Sequence, residues 1–187
     1  MAWYALFVMT GHEHEVAGTI TQRWRISGGL KPIVLTRDFR FRKAGKVLSE
    51  RKCWIPGYVF LESEMDGLDF YQKIKPYVAQ TKKVIKLLQH GRPIDLCRHT
   101  NHADWIFEVQ EAERLFLQKL LNHEHCVEMS YGYKNGRSIT VTDGPLVGLE
   151  GLIKNFDRHK MVAVIETLLF GSMQEVKVGL EVADAIP

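Results

Sequence analysis

The chain has 187 residues, of which 45% are hydrophobic and 25% charged, a globular composition that excludes disordered, collagen-like and coiled-coil proteins. No apolar run approaches the roughly 18 residues that a membrane-spanning helix needs. The formal net charge of +3 is unevenly placed, because residues 1–110 carry 17 Lys and Arg against 11 Asp and Glu, whereas residues 138–187 carry 4 against 7.

The first two predicted elements are a strand and a helix. Residues 3–9 are apolar throughout and follow no basic leader, which predicts a buried central strand rather than a signal peptide. Acidic residues from Glu13 onward suit the first turn of a helix, where the helix dipole favours negative charge. The apolar face of that helix is predicted to hold Val16, Ile20 and Trp24.

A long hairpin and a second helix are predicted next. Residues typical of strands recur in 33–41 and 53–61, on either side of a polar tip at 44–46. The second helix begins near Asp66, a suitable N-cap, and should not run past Pro76 because proline has no N–H to donate within a helix.

The remainder of the first domain is predicted to contain a strand over 84–88 and a helix over 102–121. The expected apolar face of that helix is Trp105, Val109, Ala112, Phe116 and Leu120. This order of elements predicts an α/β sandwich over residues 1–121, with helices packed on a mixed or antiparallel sheet.

The rear part of the chain has a different pattern. Residues 122–137 show no sustained period and are predicted to be a linker, with a turn at Asn135-Gly136. Short alternating runs bounded by Gly, Asp or Asn then fill residues 138–187, and they predict a small all-β barrel.

The sequence offers little support for catalysis or metal binding. It lacks the hydrolase, phosphate-loop and dinucleotide motifs, so we predict neither an enzyme nor a cofactor. His12 and His14 would point apart on a helix, and the His-Glu-His-Cys run at 123–126 lacks a nearby fourth ligand, so no metal site is expected. The odd number of cysteines, Cys53, Cys97 and Cys126, favours a reducing cytoplasm.

Three segments are candidates for binding, and each has an alternative interpretation. Residues 37–52 contain seven basic residues, Phe39 and Phe41, which suit either nucleic-acid phosphate or a solvated hairpin. Aromatic and apolar residues in 53–61 suit either a partner surface or the core. The basic residues within 154–160 are exceptional in an acidic domain, and they suit either RNA or a solvated turn.

These segments resemble those of NusG-family transcription elongation factors. The similarity rests on Trp-Tyr-Ala-Leu at 3–6 and Ile-Pro-Gly-Tyr-Val-Phe at 55–60, where the family has a Phe-Pro-Gly-Tyr core. It continues in the Asp-Gly-Pro-Leu segment at 143–146 and the glycines that follow, which resemble the family's KOW domain. The two motifs occur in the order that the family has.

The resemblance implies partners and contact residues. The family's N-terminal domain binds the clamp helices of RNA polymerase, which implies polymerase contacts for Trp3, Tyr4, Ile55, Tyr58 and Phe60. Its hairpin approaches DNA in the elongation complex, which implies DNA contacts for Arg40, Arg42 and Lys43. The resemblance implies no membrane and no cofactor.

Within the family, the chain resembles the specialised antitermination paralogs called LoaP. It has Ile55 in place of an aromatic residue, a lengthened and helix-rich segment over 90–137, and a basic turn over 154–160. The KOW domain of those paralogs binds an RNA hairpin, which implies contacts with a nascent leader hairpin for Lys154, Asn155, Arg158, His159 and Lys160. Two alternatives remain open: a general pausing factor that couples to Rho or the ribosome, and a ribosome-associated RNA-binding protein of another class.

Overall fold

The computed structural model of the chain describes residues 1–24, 29–89, 108–136 and 138–184. The chain divides into two compact units, and each is built from two separate parts of the sequence. Unit 1 comprises Met1–Val34 and Pro56–Arg114, and unit 2 comprises Leu35–Ile55 and Leu115–Pro187. The predicted fold class is confirmed, since an N-terminal α/β part of the chain is followed by a C-terminal part built from β-sheet.

Unit 1 is built on a four-stranded antiparallel sheet. Its elements are β1 Ala2–Val8, α1 Glu13–Trp24, β2 Lys31–Ile33, β5 Tyr58–Ser63, α2 Gly67–Gln80 and β6 Val84–Leu87. The strand order is β2-β5-β1-β6, and all three pairs are antiparallel. The predicted central strand and first helix are therefore confirmed, and α1 has the predicted buried face.

The core of unit 1 lies between the helices and one face of this sheet. Side chains that alternate along β1, namely Tyr4, Leu6 and Val8, belong to one buried cluster. The same cluster takes Val16 and Ile20 from α1, whose apolar positions recur every four residues. Odd-numbered residues of β1 therefore point to the opposite face of the sheet.

Helix α2 differs from its prediction at one end. The N-cap is confirmed, because the Asp66 side chain accepts hydrogen bonds from the backbone N–H groups of Leu68 and Asp69 at 3.0 and 2.9 Å. The prediction that the helix does not run past Pro76 is wrong, since the helix continues to Gln80. The exposed ring of Pro76 lies on the solvent side, while the next residue, Tyr77, is buried and keeps the last turn in place.

The predicted hairpin exists, but its second strand was placed too late in the sequence. The strands are β3 Thr36–Lys43 and β4 Lys46–Cys53, joined at Ala44 and Gly45. Residues 53–61 do not continue the hairpin, because the chain turns at Gly57, with φ of 85°, and enters β5 of unit 1. The hairpin belongs to unit 2.

The third helix is shorter than predicted. Helix α3 covers Glu111–Leu120, and residues 101–107, including Trp105, lie outside the described residues. Val109 is not helical, because its backbone N–H donates a hydrogen bond of 2.6 Å to the carbonyl oxygen of Trp3.

The buried face of α3 also differs from the prediction. Glu113, Leu117 and Leu120 are buried, whereas Ala112 is exposed and Phe116 is half-buried. The later start of the helix removes Val109 from the helical repeat, so the expected stripe had the wrong phase.

Unit 2 contains two sheets. Its further strands are β7 Cys126–Val127, β8 Ser130–Asn135, β9 Ser138–Asp143, β10 Ile153–Asp157, β11 Val162–Leu169 and β12 Ser172–Asp184. The strand orders are β10-β11-β12-β8-β9 and β4-β3-β7. The alternating runs predicted after residue 138 are thus confirmed as strands.

The segment 122–137, predicted to be a linker, contains the strands β7 and β8. Strand β8 lies inside the larger sheet, parallel to β12 and antiparallel to β9, and β7 runs parallel to β3 of the hairpin. The parallel partners of β8 and β7 are distant in sequence, so no local sequence pattern predicts these pairings. Within the described ranges, no helix is both long and apolar enough to span a membrane.

Candidate functional site

The sheet face of unit 1 that points away from α1 and α2 carries a row of aromatic side chains. In the register of β1 and β5, Ala5 faces Phe60 and Phe7 faces Tyr58. The Phe7 and Tyr58 rings lie 5.3 Å apart, and the Trp3 and Phe60 rings lie 5.7 Å apart. Trp3 and Phe60 are buried, whereas Phe7 and Tyr58 are both partly exposed.

Four of the five residues expected to contact polymerase are buried. Trp3 and Phe60 are 2% and 0% exposed, Tyr4 is 0% and Ile55 is 8%. Their side chains therefore offer almost no surface to a partner in this conformation. Tyr58 is the one that keeps a partly exposed ring, and its neighbour Phe7 was not anticipated from the sequence.

Tyr4 lies on the core face rather than in the aromatic row. Its ring stacks on Phe70 with 3.6 Å between centroids, and its hydroxyl donates to the carbonyl oxygen of Met65 at 2.7 Å. Burial, together with the carboxylate of Glu108, raises the pKa of the Tyr4 phenol well above its ordinary value. Tyr4 therefore stabilises the sheet that carries the aromatic row.

The exposed end of the aromatic row is fixed by Gly57 and Glu13. The Glu13 carboxylate accepts hydrogen bonds from the backbone N–H groups of Gly57 at 2.7 Å and Gly11 at 2.9 Å. Burial alone would raise the pKa of Glu13, but these N–H donors outweigh it and hold the pKa below its ordinary value. A buried carboxylate thus holds the residue that precedes Tyr58.

The Phe7–Tyr58 pair has a charged neighbour on the side of β6. In the strand register Phe7 faces Lys86. A partly exposed aromatic pair bordered by a charged side chain is typical of a protein-interaction surface.

The hairpin of unit 2 separates the three residues expected to contact DNA. Side chains alternate along a strand, so Arg40 and Arg42 share one face and Lys43 points to the other. Arg40 lies 3.4 Å from Glu181 of β12, and its guanidinium covers the Tyr131 ring at 5.5 Å. Arg42 is exposed and has no ion pair within the described residues.

Arg42 lines a cavity that also contains part of the basic turn after β10. The cavity has a volume of about 510 Å³. Its lining residues are Arg42, Arg158, His159, Met161, Glu181, Val182 and Ala183. Two segments to which the sequence assigned separate nucleic-acid contacts therefore meet at one cavity within unit 2.

Arg158 is bound in a bidentate ion pair at the edge of this cavity. Its two terminal nitrogens lie 2.9 and 2.8 Å from the two carboxylate oxygens of Asp184. Arg158 holds the pKa of the Asp184 carboxyl below its ordinary value, and Asp184 raises that of Arg158. Both side chains remain exposed to solvent.

The remaining residues expected to bind RNA lie elsewhere. Lys154 is 2.7 Å from Glu166, and Glu166 faces Glu175 across β11 and β12, so this lysine offsets two neighbouring acids. Lys160 pairs with Asp157 at 3.2 Å. The run 154–160 therefore does not form one continuous basic surface.

Asn155 also has a local contact. Its side-chain oxygen accepts a hydrogen bond of 2.8 Å from the backbone N–H of Phe156, within β10. The cavity thus contains Arg158 and His159 of the five residues assigned to RNA.

The two histidine-rich segments have structural contacts. His12 lies 3.0 Å from Glu15, and Glu13 binds backbone N–H groups as described above. In the second segment Glu124 pairs with Arg51 at 2.7 Å, and Cys126 is buried. Among residues 1–24, 29–89, 108–136 and 138–184 no cluster of three suitable side chains is placed to hold a metal ion.

These observations define a protein of two units, an α/β unit with a partly exposed aromatic face and a strand-rich unit with a cationic cavity. A family model described as "NusG: Transcription termination factor nusG" matches residues 1–102, more than half of the chain. The chain therefore belongs to the NusG family of transcription factors, whose members bind RNA polymerase.

One solved structure similar to this chain comes from the work titled "Domain interaction in Thermotoga maritima NusG". It is 19% identical, and the match covers 96% of this chain and 93% of that one with a TM-score of 0.49. Among proteins with curated functions, none matches the chain significantly in sequence.

Proposed function

We propose that this NusG-family protein is a processive antitermination factor, most similar to the LoaP paralogs. In this proposal unit 1 binds the clamp helices of RNA polymerase, and unit 2 binds a hairpin of the nascent RNA. The observation that carries the proposal is the half-buried Phe7–Tyr58 pair at the open end of the aromatic row.

The aromatic pair suits a small protein interface. Aromatic side chains dominate the binding energy of such interfaces when they are packed from below and covered by the partner from above. Trp3 and Phe60 continue the row as buried neighbours, so Phe7 and Tyr58 need little ordering when a partner binds. We therefore assign the polymerase contact to Phe7 and Tyr58, with Trp3, Tyr4 and Phe60 as the residues that support them.

The mechanism that we propose is steric and electrostatic and requires no cofactor. Unit 1 bridges the polymerase cleft and disfavours paused conformations, while unit 2 keeps a nascent RNA structure close to the enzyme. Lys43 lies at the end of β3, close to the tip of an exposed hairpin and on the other face of the strand from Arg42, which supports a further contact with DNA phosphates in the elongation complex.

Polymerase binding tests the first half of the proposal. We expect the double substitution Phe7→Ser and Tyr58→Ser to weaken binding to core polymerase at least tenfold, because alanine-type truncation of an aromatic anchor costs about 2 kcal/mol or more. Leu68→Ser is the matched control, since Leu68 is 42% exposed on α2, on the opposite side of the sheet from the pair. Unchanged binding of a folded double variant would contradict the proposal.

Transcription through a terminator tests the second half. A run-off assay compares read-through with and without the protein, on a template that encodes a candidate leader hairpin and on one that lacks it. We expect read-through to rise only with the hairpin. An increase in pausing, or in Rho-dependent termination, would instead assign the protein to the general factors of the family.

A further inference from the structure

We propose that the 510 Å³ cavity of unit 2 binds one nucleotide of an RNA strand, that Arg42 and Arg158 contact its phosphodiester, and that Asp184 competes for Arg158. This inference rests on the proposed function, in which unit 2 binds nascent RNA. It adds a defined site that joins the hairpin to the turn after β10.

The cations of the cavity are arranged for an anion. Arg42 comes from β3 and Arg158 from the turn after β10, so two segments that are distant in sequence converge on one space. Within the described residues neither Arg42 nor the His159 imidazole has an ion pair. Two arginines that line the same concave surface strengthen each other's attraction for a phosphate group.

The acidic residues near the cavity do not cancel this charge. Glu181 belongs to the lining, but Arg40 lies 3.4 Å from its carboxylate and offsets it. Asp184 is held by Arg158 and also lies near Lys134, whose charge acts on it. Among the described residues that line the cavity, Arg42 is thus an arginine whose charge is not offset by an ion pair with an acidic side chain.

The Arg158–Asp184 pair shows how a phosphate would bind. Both terminal nitrogens of Arg158 donate to two oxygens of one planar group, and a phosphodiester presents two oxygens to the same fork. The side chains of Arg158 and Asp184 are 55% and 73% exposed, so the pair is a weak surface ion pair that a ligand can replace.

The size and walls of the cavity indicate a nucleotide rather than a lone anion. Its volume lies in the range of sites that hold small organic molecules, which is more than one phosphate group fills. Met161, Val182 and Ala183 supply an apolar wall beside the arginines. A ribose or a base can lie against that wall while its phosphate contacts Arg42 and Arg158.

The test measures binding of the full-length protein to a labelled oligouridylate by fluorescence anisotropy across a range of salt concentrations. Arg42→Ala and Arg158→Ala should each weaken binding about tenfold and lower the slope of the salt dependence by about one. Asp184→Asn should tighten binding several-fold because it frees the Arg158 fork. An oligothymidylate of equal length shows whether the phosphodiester alone is recognised or whether the ribose contributes.

Lys160→Ala is the matched control, since it removes one positive charge from the same turn at a side chain outside the cavity. It should change binding much less than Arg158→Ala. Arg158→Lys keeps the charge but loses the fork, so an intermediate loss identifies the bidentate contact even if Arg158→Ala folds poorly. Thermal unfolding of each variant establishes that it is folded.

The outcomes separate this inference from the proposed function. If the wild-type protein binds neither oligonucleotide nor the leader hairpin, the proposed RNA-binding function and the cavity inference both fail. If the wild type binds RNA but Arg42→Ala, Arg158→Ala and Lys160→Ala weaken it equally, the cavity inference alone is overturned. If Asp184→Asn binds the oligouridylate more weakly than the wild type, Asp184 does not compete with RNA for Arg158.

Discussion

The carboxylate of Glu13, at the start of α1, accepts a hydrogen bond of 2.7 Å from the backbone N–H of Gly57, which directly precedes β5. The carbonyl oxygen of Gly57 in turn accepts a hydrogen bond of 2.8 Å from the N–H of Val8. Both polar groups of the Gly57 backbone are therefore held by unit 1. The position of Tyr58, and with it the aromatic face, depends on a carboxylate buried at 4% exposure.

We expect Glu13→Gln to lower the free energy of unfolding by about 1–3 kcal/mol at neutral pH, because hydrogen bonds from N–H groups to a charged acceptor are stronger than those to an amide oxygen. Urea unfolding measures this change. Glu15→Gln is the control, since Glu15 is exposed and pairs with Lys83 and His12 at the surface. Equal losses in the two variants would contradict the role of Glu13.

The Glu13 contribution should also depend on pH. Its folded-state pKa lies below its ordinary value of about 4.3, so its stabilisation is complete above that value and is lost as pH falls through the folded-state pKa. The stability difference between wild type and Glu13→Gln should therefore shrink in acid below about pH 4. A difference that stays constant down to the acid transition would contradict this assignment.

Gly57→Ala should destabilise unit 1 by more than about 1 kcal/mol. The backbone φ of Gly57 is 85°, and an added Cβ would lie 3.3 Å from Phe7 Cε2 and 3.4 Å from Thr10 Oγ1. Gly45→Ala at the hairpin tip is the control, because it has φ of 76° and open space around the added atom. Differential scanning calorimetry should show the larger loss at Gly57.

Trp54→Phe should weaken the attachment of the hairpin to the larger sheet of unit 2. The indole N–H of this buried residue donates to the carbonyl oxygen of Lys177 at 3.0 Å, and phenylalanine cannot replace that donor. We expect a loss of about 1–2 kcal/mol and faster amide hydrogen exchange in β3 and β12. Exchange rates that do not change would show that packing alone holds the hairpin.

Gly179→Ala should be among the most damaging small substitutions in unit 2. An added Cβ would overlap the Met129 sulfur and would lie 2.9 Å from the carbonyl oxygen of Asp38. Met129→Ala combined with Gly179→Ala removes the first clash but not the second, because the second involves the backbone of β3. Thermal unfolding should therefore show partial rescue, and full rescue would mean that β3 moves freely.

Local patterns predicted several elements correctly. The buried face of α1, the Asp66 cap and the strands after residue 138 follow from periodicity and capping chemistry. Two of the failures depend on distant partners. Strand β8 pairs with β12, and the backbone N–H of Val109 donates a hydrogen bond to Trp3. The residues near β8 and Val109 in the sequence show no pattern that predicts either contact.

The same distinction holds for the site. The sequence identified an aromatic cluster, but burial separates Tyr58 from Trp3, Tyr4, Ile55 and Phe60, and burial depends on packing from outside the cluster. Phe7 could have been identified from the sequence, since Trp3 and Phe7 are an even number of positions apart in β1 and so lie on the same face of the sheet. The convergence of Arg42 with Arg158 could not, because it depends on the contact of β3 with β12.

The division of the chain also has a consequence for biosynthesis. The hairpin at 36–53 leaves the ribosome much earlier than its anchor at Lys177 and the strand Ser172–Asp184. Until that strand has been translated, the indole of Trp54 lacks the carbonyl that it binds in the folded protein, and β8 lacks its parallel neighbour. Nascent chains arrested shortly before Ser172 should therefore have a hairpin that is readily cleaved by protease, and chains that extend past Asp184 should have a protected hairpin.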